Sequence, residues 1–367
     1  MENTFWAEFS DDEFNWRDRS EFWSNYRPKK LGRKKKYAFR EPLILVGHGA
    51  RIRVNHNTLL VQNGFTHYPQ KSEEIRFFPG APNLPDRIIV LDANGVISFD
   101  ALNWMSDQKI EFVQLNWRGR VSFSGNSGFA ANPKLVQWQS ETRGTPKALE
   151  LNRKIICSKL DASTEAIKSL FGTNDVAKIA IAKIRGLKSK VLDLPTRDYY
   201  SKVLGYEGAA AAIYYRLWHD LPLKWTNLSK RPIPSDWHRV GSRSMVWRRE
   251  GNYARHPVNA MLNYGYGIVI GQLRAEIVSV GFDPSIGFAH SRDKNRIPLV
   301  YDLVEPLRPV VDHMVLSFVL SNTFEPGDFA INRLGGCRLN PRLALTIAKQ
   351  VSAIDSSPIV RQFIRCV

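Results

Sequence analysis

The stretch Ala130-Ala131-Asn132-Pro133-Lys134-Leu135-Val136 divides the chain. Asn132 has the side chain of a helix N-cap. Pro133 suits the first helical position, where its missing N–H costs nothing. Before this point apolar residues come in short runs, at 43–46, 51–54, 59–62, 87–91, 96–99 and 111–115. Asn63-Gly64, Pro79-Gly80 and Asn94-Gly95 punctuate them as turns. Six or more strands without a long helix make a small sandwich or twisted sheet. After the divide the pattern is helical over 148–160, 163–172, 174–186, 197–219, 257–280, 299–321 and 341–350, with Gly281 as a C-terminal stop. The expected fold is α+β: a small sandwich-like β domain over 41–130, then a larger all-α domain over 131–367. His48, His56 and His67 lie in the β part without metal-ligand spacing and read as solvated or core side chains.

Residues 1–40 stand apart in composition. Positions 1–22 carry seven acids and two arginines, whereas 27–40 carry eight Lys/Arg and no acid. Such blocks are usually solvated and partly disordered. They also suit a basic arm that tracks phosphates, or an aromatic-bearing segment (Trp16, Phe22, Trp23) that docks on a partner. The whole chain has 367 residues and a formal net charge of +17. That excess points to a polyanionic partner, nucleic acid before an acidic membrane surface. No apolar run reaches the ~18 residues of a membrane span, and the acidic, aromatic N-terminus is wrong for a signal peptide. Cys157, Cys337 and Cys366 are few and far apart, which argues against a disulfide framework or a Cys-rich zinc site. The expectation is a soluble cytoplasmic protein bound to nucleic acid.

Three segments of the helical part could carry chemistry. In Gly205-Tyr206-Glu207-Gly208-Ala209-Ala210-Ala211-Ala212, one acid stands among small residues. Glu207 is either on the solvent face of an Ala-rich helix or buried, and a buried Glu must be paired or bind a metal. Gly281-Phe282-Asp283-Pro284-Ser285-Ile286-Gly287-Phe288-Ala289-His290 is a Gly/Pro-shaped loop that ends in a histidine. In Tyr301-Asp302-Leu303-Val304-Glu305-Pro306-Leu307-Arg308-Pro309, Asp302 and Glu305 are i,i+3 and share a helix face. Arg308 could make that face an ion-pair ladder, and Pro306 and Pro309 would kink or shorten the helix. Between the first two segments, residues 227–256 hold seven Lys/Arg against two acids: Lys230, Arg231, Arg239, Arg243, Arg248, Arg249 and Arg255, with Trp237 and Trp247 interleaved. This strip reads as a solvated basic loop or as a phosphate-tracking surface with stacking platforms. Lys183, Arg185, Lys188 and Lys190 form a second basic patch.

The order and wording of these segments resemble the CRISPR-associated adaptation integrase (Cas one) family. That family has a β domain before a helical domain carrying an E-G-x-A-A helix, an N-P-x-N-A-x-L-N-Y-x-Y helix, a G-L-D-P-x-I-G-F-x-H loop and a D-L-x-E-x-x-R-P helix. Here they stand as Glu207-Gly208-Ala209-Ala210-Ala211, as His256-Pro257-Val258-Asn259-Ala260-Met261-Leu262-Asn263-Tyr264-Gly265-Tyr266, as the 281–290 loop, and as 302–309. Leu43-Ile44-Leu45-Val46-Gly47-His48-Gly49-Ala50 looks like the family's opening strand. The resemblance runs over roughly 41–345 and leaves out the first 40 residues.

The resemblance implies that Glu207, His290 and Glu305 ligate Mg²⁺ or Mn²⁺, with Asp302 as a supporting acid in the catalytic set. Many members have Asp where Glu305 stands; both types supply carboxylate oxygen to a hard cation. It implies that Asn259 and Asn263, i,i+4 on one helix face, orient the site or the DNA, although helix–helix hydrogen bonding would explain them equally well. The charged stretch 291–296 departs from the family pattern. The implied activity is metal-dependent joining of a short DNA duplex, through its 3′-hydroxyls, to a CRISPR repeat, with nuclease activity as the same reaction with water. The implied partners are prespacer and repeat DNA, a second copy paired through the β domains, and the small second CRISPR adaptation protein. A transposon-borne, casposase-like integrase is the neighbouring reading. A non-catalytic DNA scaffold and a hydrolase of small phosphorylated substrates are the competing classes. An intact acid/histidine set weighs against the first of these and the +17 charge against the second.

Overall fold

A computed structural model describes residues 13–26, 41–67, 72–125, 131–172, 174–196, 199–229, 231–241, 253–289 and 297–366. Among the described residues, eight strands come from the first third: β1 Leu43–Val46, β2 Ala50–Asn55, β3 Thr58–Gln62, β4 Glu74–Phe77, β5 Arg87–Leu91, β6 Gly95–Ile97, β7 Glu111–Leu115 and β8 Val121–Gly125. They make two four-stranded sheets, ordered β1-β5-β7-β8 and β4-β3-β2-β6. In the first, β1, β5 and β7 are parallel and β8 closes the edge antiparallel. Every residue of β5 is buried, as a parallel strand covered on both faces requires. His56 and Asn57, both at positive φ, form the two-residue turn between β2 and β3; His56 is a turn residue.

A helix, α1 Glu13–Asn25, precedes the strands, and another, α2 Phe99–Asp107, lies among them. Neither follows from the strand pattern. Ser98 caps α2 by accepting from Ala101 N, and the helix buries Ala101, Trp104 and Met105 against the second sheet. The expectation is of strands without a long helix, and α2, nine residues long, is a short one; of the run 96–99, residues 96 and 97 are strand and lead into the α2 cap.

The helical part begins at Pro133, with Asn132 accepting from Lys134 N at 3.0 Å as expected. Its helices are α3 Pro133–Thr142, α4 Pro146–Phe171, α5 Asp175–Leu192, α6 Tyr199–Arg216, α7 Pro257–Val280, α8 Pro298–Val304, α9 Arg308–Ser321, α10 Pro341–Val351 and α11 Ser357–Ile364. The two helices expected over 148–172 are one: no Gly or Pro interrupts them, and Ser163 Oγ bonds back to Lys159 O inside the helix. The long helix expected over 299–321 is interrupted by a 3₁₀ turn, Glu305–Leu307, as Pro306 and Pro309 suggested. Gly281 ends α7 at φ 99°. The region is not purely helical. Strand β9 Lys224–Trp225 pairs with β10 Thr323–Phe324, and β11 Phe329–Ile331 pairs with β12 Cys337–Leu339.

One apolar core joins the two parts. Ile44, Val46, Ile89, Leu91, Val113 and Leu115, from one face of the first sheet, share a cluster with α4, α7, α9 and α10. The opposite face, with Leu45, Ile88 and Val90, packs on the second sheet and α2. The turn between β7 and β8 wedges into α7: a Cβ on Gly267 would meet Gly119 O at 2.0 Å, and one on Gly119 would meet the Asn263 backbone at 2.4 Å.

Helix α1 corrects the solvated-tail expectation for 13–26. Arg19 and Trp23 both reach the fully buried Asp328, at 2.6 Å through Arg19 Nε and 2.7 Å through Trp23 Nε1. Ser20 and the Trp16 carbonyl meet Asn340, the N-cap of α10. Trp23 thus docks on the chain's own core. The basic stretch 27–40 lies outside the described residues. Among the described residues, no helix is long and apolar enough to cross a membrane.

Candidate active site

Four elements converge on a pair of carboxylates. Helix α6 presents Glu207, and the 3₁₀ turn after α8 presents Glu305. Helix α4 sends Lys159 between them, and the first turn of α9 contributes Arg308. The Lys159 ammonium donates to Glu207 Oε1 and lies 2.6 Å from Glu305 Oε2. Arg308 Nε donates to Glu305 Oε1 at 2.9 Å. Side-chain exposure is 19% for Glu207, 11% for Glu305 and 17% for Lys159. Glu207 therefore faces a largely shielded site and not the solvent face of an Ala-rich helix. Burial pulls the Lys159 ammonium down, but the Glu305 and Glu207 carboxylates outweigh it and hold its pKa above the ordinary lysine value. Two shielded carboxylates this close repel unless a cation stands between them, and here the cation is Lys159.

The network continues inward, to buried residues of α7 and α9. The Arg308 guanidinium lies 4.9 Å from the centre of the Tyr266 ring, and the Tyr266 hydroxyl donates to Asp312, a buried acid on α9. The aromatic face and the carboxylate together fix the rotamer from which Arg308 meets Glu305.

Asp302 has a different task from Glu305. It is fully buried, and its Oδ2 accepts from the backbone N–H groups of Phe288 at 2.6 Å and Ala289 at 3.1 Å. It thereby pins the end of the loop that leads to position 290. Gln139, also fully buried, stitches the start of that loop: its Nε2 donates to the carbonyls of Asp283 and Ile286, and its Oε1 accepts from Asp283 N, all at 2.9 Å. His290 itself lies outside the described residues. Among the described residues no three His, Cys, Asp or Glu side chains are grouped closely enough to hold a metal; the Glu207–Glu305 pair is what they supply.

Asn259 and Asn263 sit one turn apart on α7, both part-exposed. His256 caps that helix: its Nδ1 accepts from Val258 N, and its Nε2 lies 3.0 Å from Arg239 O. Burial lowers its pKa, which suits the neutral ring that such a cap needs. Arg231 is part-exposed, while Lys230, Arg243, Trp247, Arg248 and Arg249 lie outside the described residues. Trp237 is no stacking platform. It is 3% exposed, stacks on Trp225 and donates to Arg255 O; this tryptophan is core. On α5, Lys183 and Arg185 are exposed, Lys188 is paired with Asp161 at 2.7 Å, and Lys190 lies over the Tyr206 ring.

Sequence reasoning missed Lys159 and Gln139. Both stand in regular amphipathic helices, where a lysine or glutamine carries no local signal. Their roles depend on partners 48 and 144 positions away.

The donor set suits a hard divalent cation. Two carboxylates offer oxygen ligands, and the space between them already holds a positive charge. The residues present thus fit Mg²⁺ or Mn²⁺.

Comparison with known proteins follows the same lines. The family model described as "CRISPR associated protein Cas1" matches residues 43–353. A CRISPR-associated endonuclease Cas1 of Archaeoglobus fulgidus is 24% identical over 313 residues, covering 81% of this chain and 85% of the relative. A Cas4 exonuclease/Cas1 endonuclease fusion of Leptospira interrogans is 24% identical over 320 residues, 84% of this chain and 54% of the fusion, so the chain spans about half of that protein. Among solved structures, a casposase bound to integration product superposes with TM-score 0.68 at 24% identity, covering 85% of this chain and 82% of that one. A Cas1 protein from Thermotoga maritima superposes with TM-score 0.66 at 17% identity, covering 89% and 95%.

Proposed function

Because the chain belongs to the Cas1 family of CRISPR-associated proteins, we propose that it is a DNA endonuclease and integrase that inserts short DNA fragments into a CRISPR array. The observation that carries the reading is the convergence of Glu207 and Glu305, from α6 and from the turn after α8, on one shared cation. Glu207, Glu305 and His290 would hold Mg²⁺ or Mn²⁺, which when bound supplies polarisation of a phosphoryl oxygen. Asp302 and Gln139 hold the loop that delivers position 290. The fragment's 3′-hydroxyl oxygen forms a bond to phosphorus as the bond to the repeat strand's 3′-oxygen breaks. One phosphodiester is exchanged for another, so no nucleoside triphosphate is consumed. With water as nucleophile the same attack is hydrolysis.

DNA contact falls to Asn259 and Asn263 on α7 and to the basic strip with Lys230, Arg231, Arg243, Trp247, Arg248 and Arg249. The +17 charge supports a polyanionic substrate. Pairing of two copies through the β part, and assembly with the small second adaptation protein, complete the reading. A solved structure that shares the fold, at TM-score 0.62 and 18% identity over 34% of its own chain, is a Cas6-RT-Cas1–Cas2 complex.

The test uses a labelled short duplex and a supercoiled plasmid bearing a CRISPR array, with Mn²⁺ or EDTA. Wild-type protein should join the strands only with the metal, and Glu207→Ala should lose joining while retaining salt-sensitive DNA binding. Binding without joining, even with the small partner added, would replace the integrase with a DNA scaffold.

A further inference from the structure

Lys159 has no place in the ligand set, yet its ammonium is the group that both carboxylates share. It bonds Glu207 Oε1 and lies 2.6 Å from Glu305 Oε2, while Arg308 holds the other oxygen of Glu305 at 2.9 Å. These two acids and two bases sum to zero charge. All four side chains are at most about one quarter exposed, so their interactions are stronger than between solvated groups. A divalent ion and an ammonium cannot occupy the same gap: both need the same inward-facing oxygens, and they repel each other.

We propose that Lys159 is a built-in counter-cation that competes with the divalent ion for Glu207 and Glu305, so that metal loading requires its displacement. The inference rests on the metal reading above and adds its regulation. In the metal-free protein Lys159 keeps the two carboxylates assembled and aligned; it is a positioning residue. A free ion approaching the neutral cluster is drawn in weakly. A DNA phosphate nearby attracts the ammonium and releases the oxygens. DNA and metal then favour each other's binding, by the same factor in both directions. The site is thereby armed when substrate is present.

The experiment titrates Mn²⁺ into metal-free full-length protein and reads the free ion by electron paramagnetic resonance. Lys159→Met should bind Mn²⁺ on the order of tenfold more tightly than wild type, as loss of a unit charge in a shielded site implies. Lys159→Arg should stay near wild type. A second reading needs no substitution. Saturating Mn²⁺ should raise the labelling of Lys159 by an amine-reactive reagent several-fold in the wild-type protein, as measured by mass spectrometry, and leave Lys154 unchanged. Equal Mn²⁺ affinity in wild type and Lys159→Met, or Lys159 labelling unmoved by saturating Mn²⁺, overturns the displacement. If Glu207→Gln and Glu305→Gln leave Mn²⁺ affinity untouched, the metal reading itself fails and this inference falls with it.

Discussion

Asp302 and Glu305 are three residues apart and keep different company. Helical spacing places their Cβ atoms on one side, but it does not say which neighbours the carboxylates meet. Glu305 turns to Lys159 and Arg308. Asp302 turns to the backbone at 288 and 289, using one oxygen for both bonds. A Cβ on Gly287 would lie 2.8 Å from that same oxygen, so the loop closes on Asp302 only because position 287 has no side chain. Removing the acceptor strands the buried Phe288 N–H, at about 1–3 kcal/mol, whereas the Ala289 N–H, on an exposed residue, can turn to water. Asp302→Ala should therefore lose roughly 1–3 kcal/mol in urea unfolding and should also lower strand joining, because position 290 loses its anchor. Asp302→Asn keeps an oxygen at that place and should retain most of both. Unchanged joining in Asp302→Ala would show that the loop is held by other means.

At the scale of elements, local pattern and tertiary partner part ways. Helices with their own punctuation were legible: Asn132-Pro133 opened α3, Pro257 and Gly281 bracketed α7, and Pro306 announced the break before α9. Helix α1 was hidden, because its acids look like a solvated tail, and the groups that fold it lie about 300 residues downstream. Trp237 was misread for the same reason: a tryptophan among arginines looks like a base-stacking surface until Trp225 and Phe329 are seen to enclose it. The docking of α1 makes a sharp prediction. Burial pushes the Asp328 carboxyl up, opposed chiefly by Arg19. Arg19 is itself 6% exposed. Breaking a buried pair by removing one partner costs about 3–5 kcal/mol, since the remaining charge is left uncompensated. Arg19→Ala should show a loss of that order in thermal or urea unfolding. Trp23→Ala, which empties a core position, should match it at about 3–5 kcal/mol. A near-neutral Arg19→Ala would mean that α1 is an accessory and not part of the folded unit.

For the whole molecule, the change of periodicity near residue 131 separates strands from helices but says nothing about how they are joined. One hint was present. The run Ile88-Ile89-Val90-Leu91 is apolar at every position, as in a strand covered on both faces, so something beyond the second sheet had to lie against it. That cover is α10, with α7 beside it over β7 and β8, in one continuous core. Glycines allow the close fit: Gly271 lets α7 approach Val113, and Gly267 lets the β7–β8 turn reach the α7 backbone beside Asn263. The strands and helices should therefore unfold together. Differential scanning calorimetry of the wild-type protein should give a single transition. Gly267→Ala places a Cβ 2.0 Å from a backbone oxygen, where neither side is a flexible side chain, and overpacking of this kind costs about 1–3 kcal/mol. The transition should move down by a few degrees and stay single. Because the same contact carries the Asn263 backbone, the variant should also bind DNA more weakly than its residual folding accounts for. Two resolved transitions, with only one shifted by Gly267→Ala, would show instead that the strand and helix parts hold themselves up separately, and that the shared core is contact without cooperation.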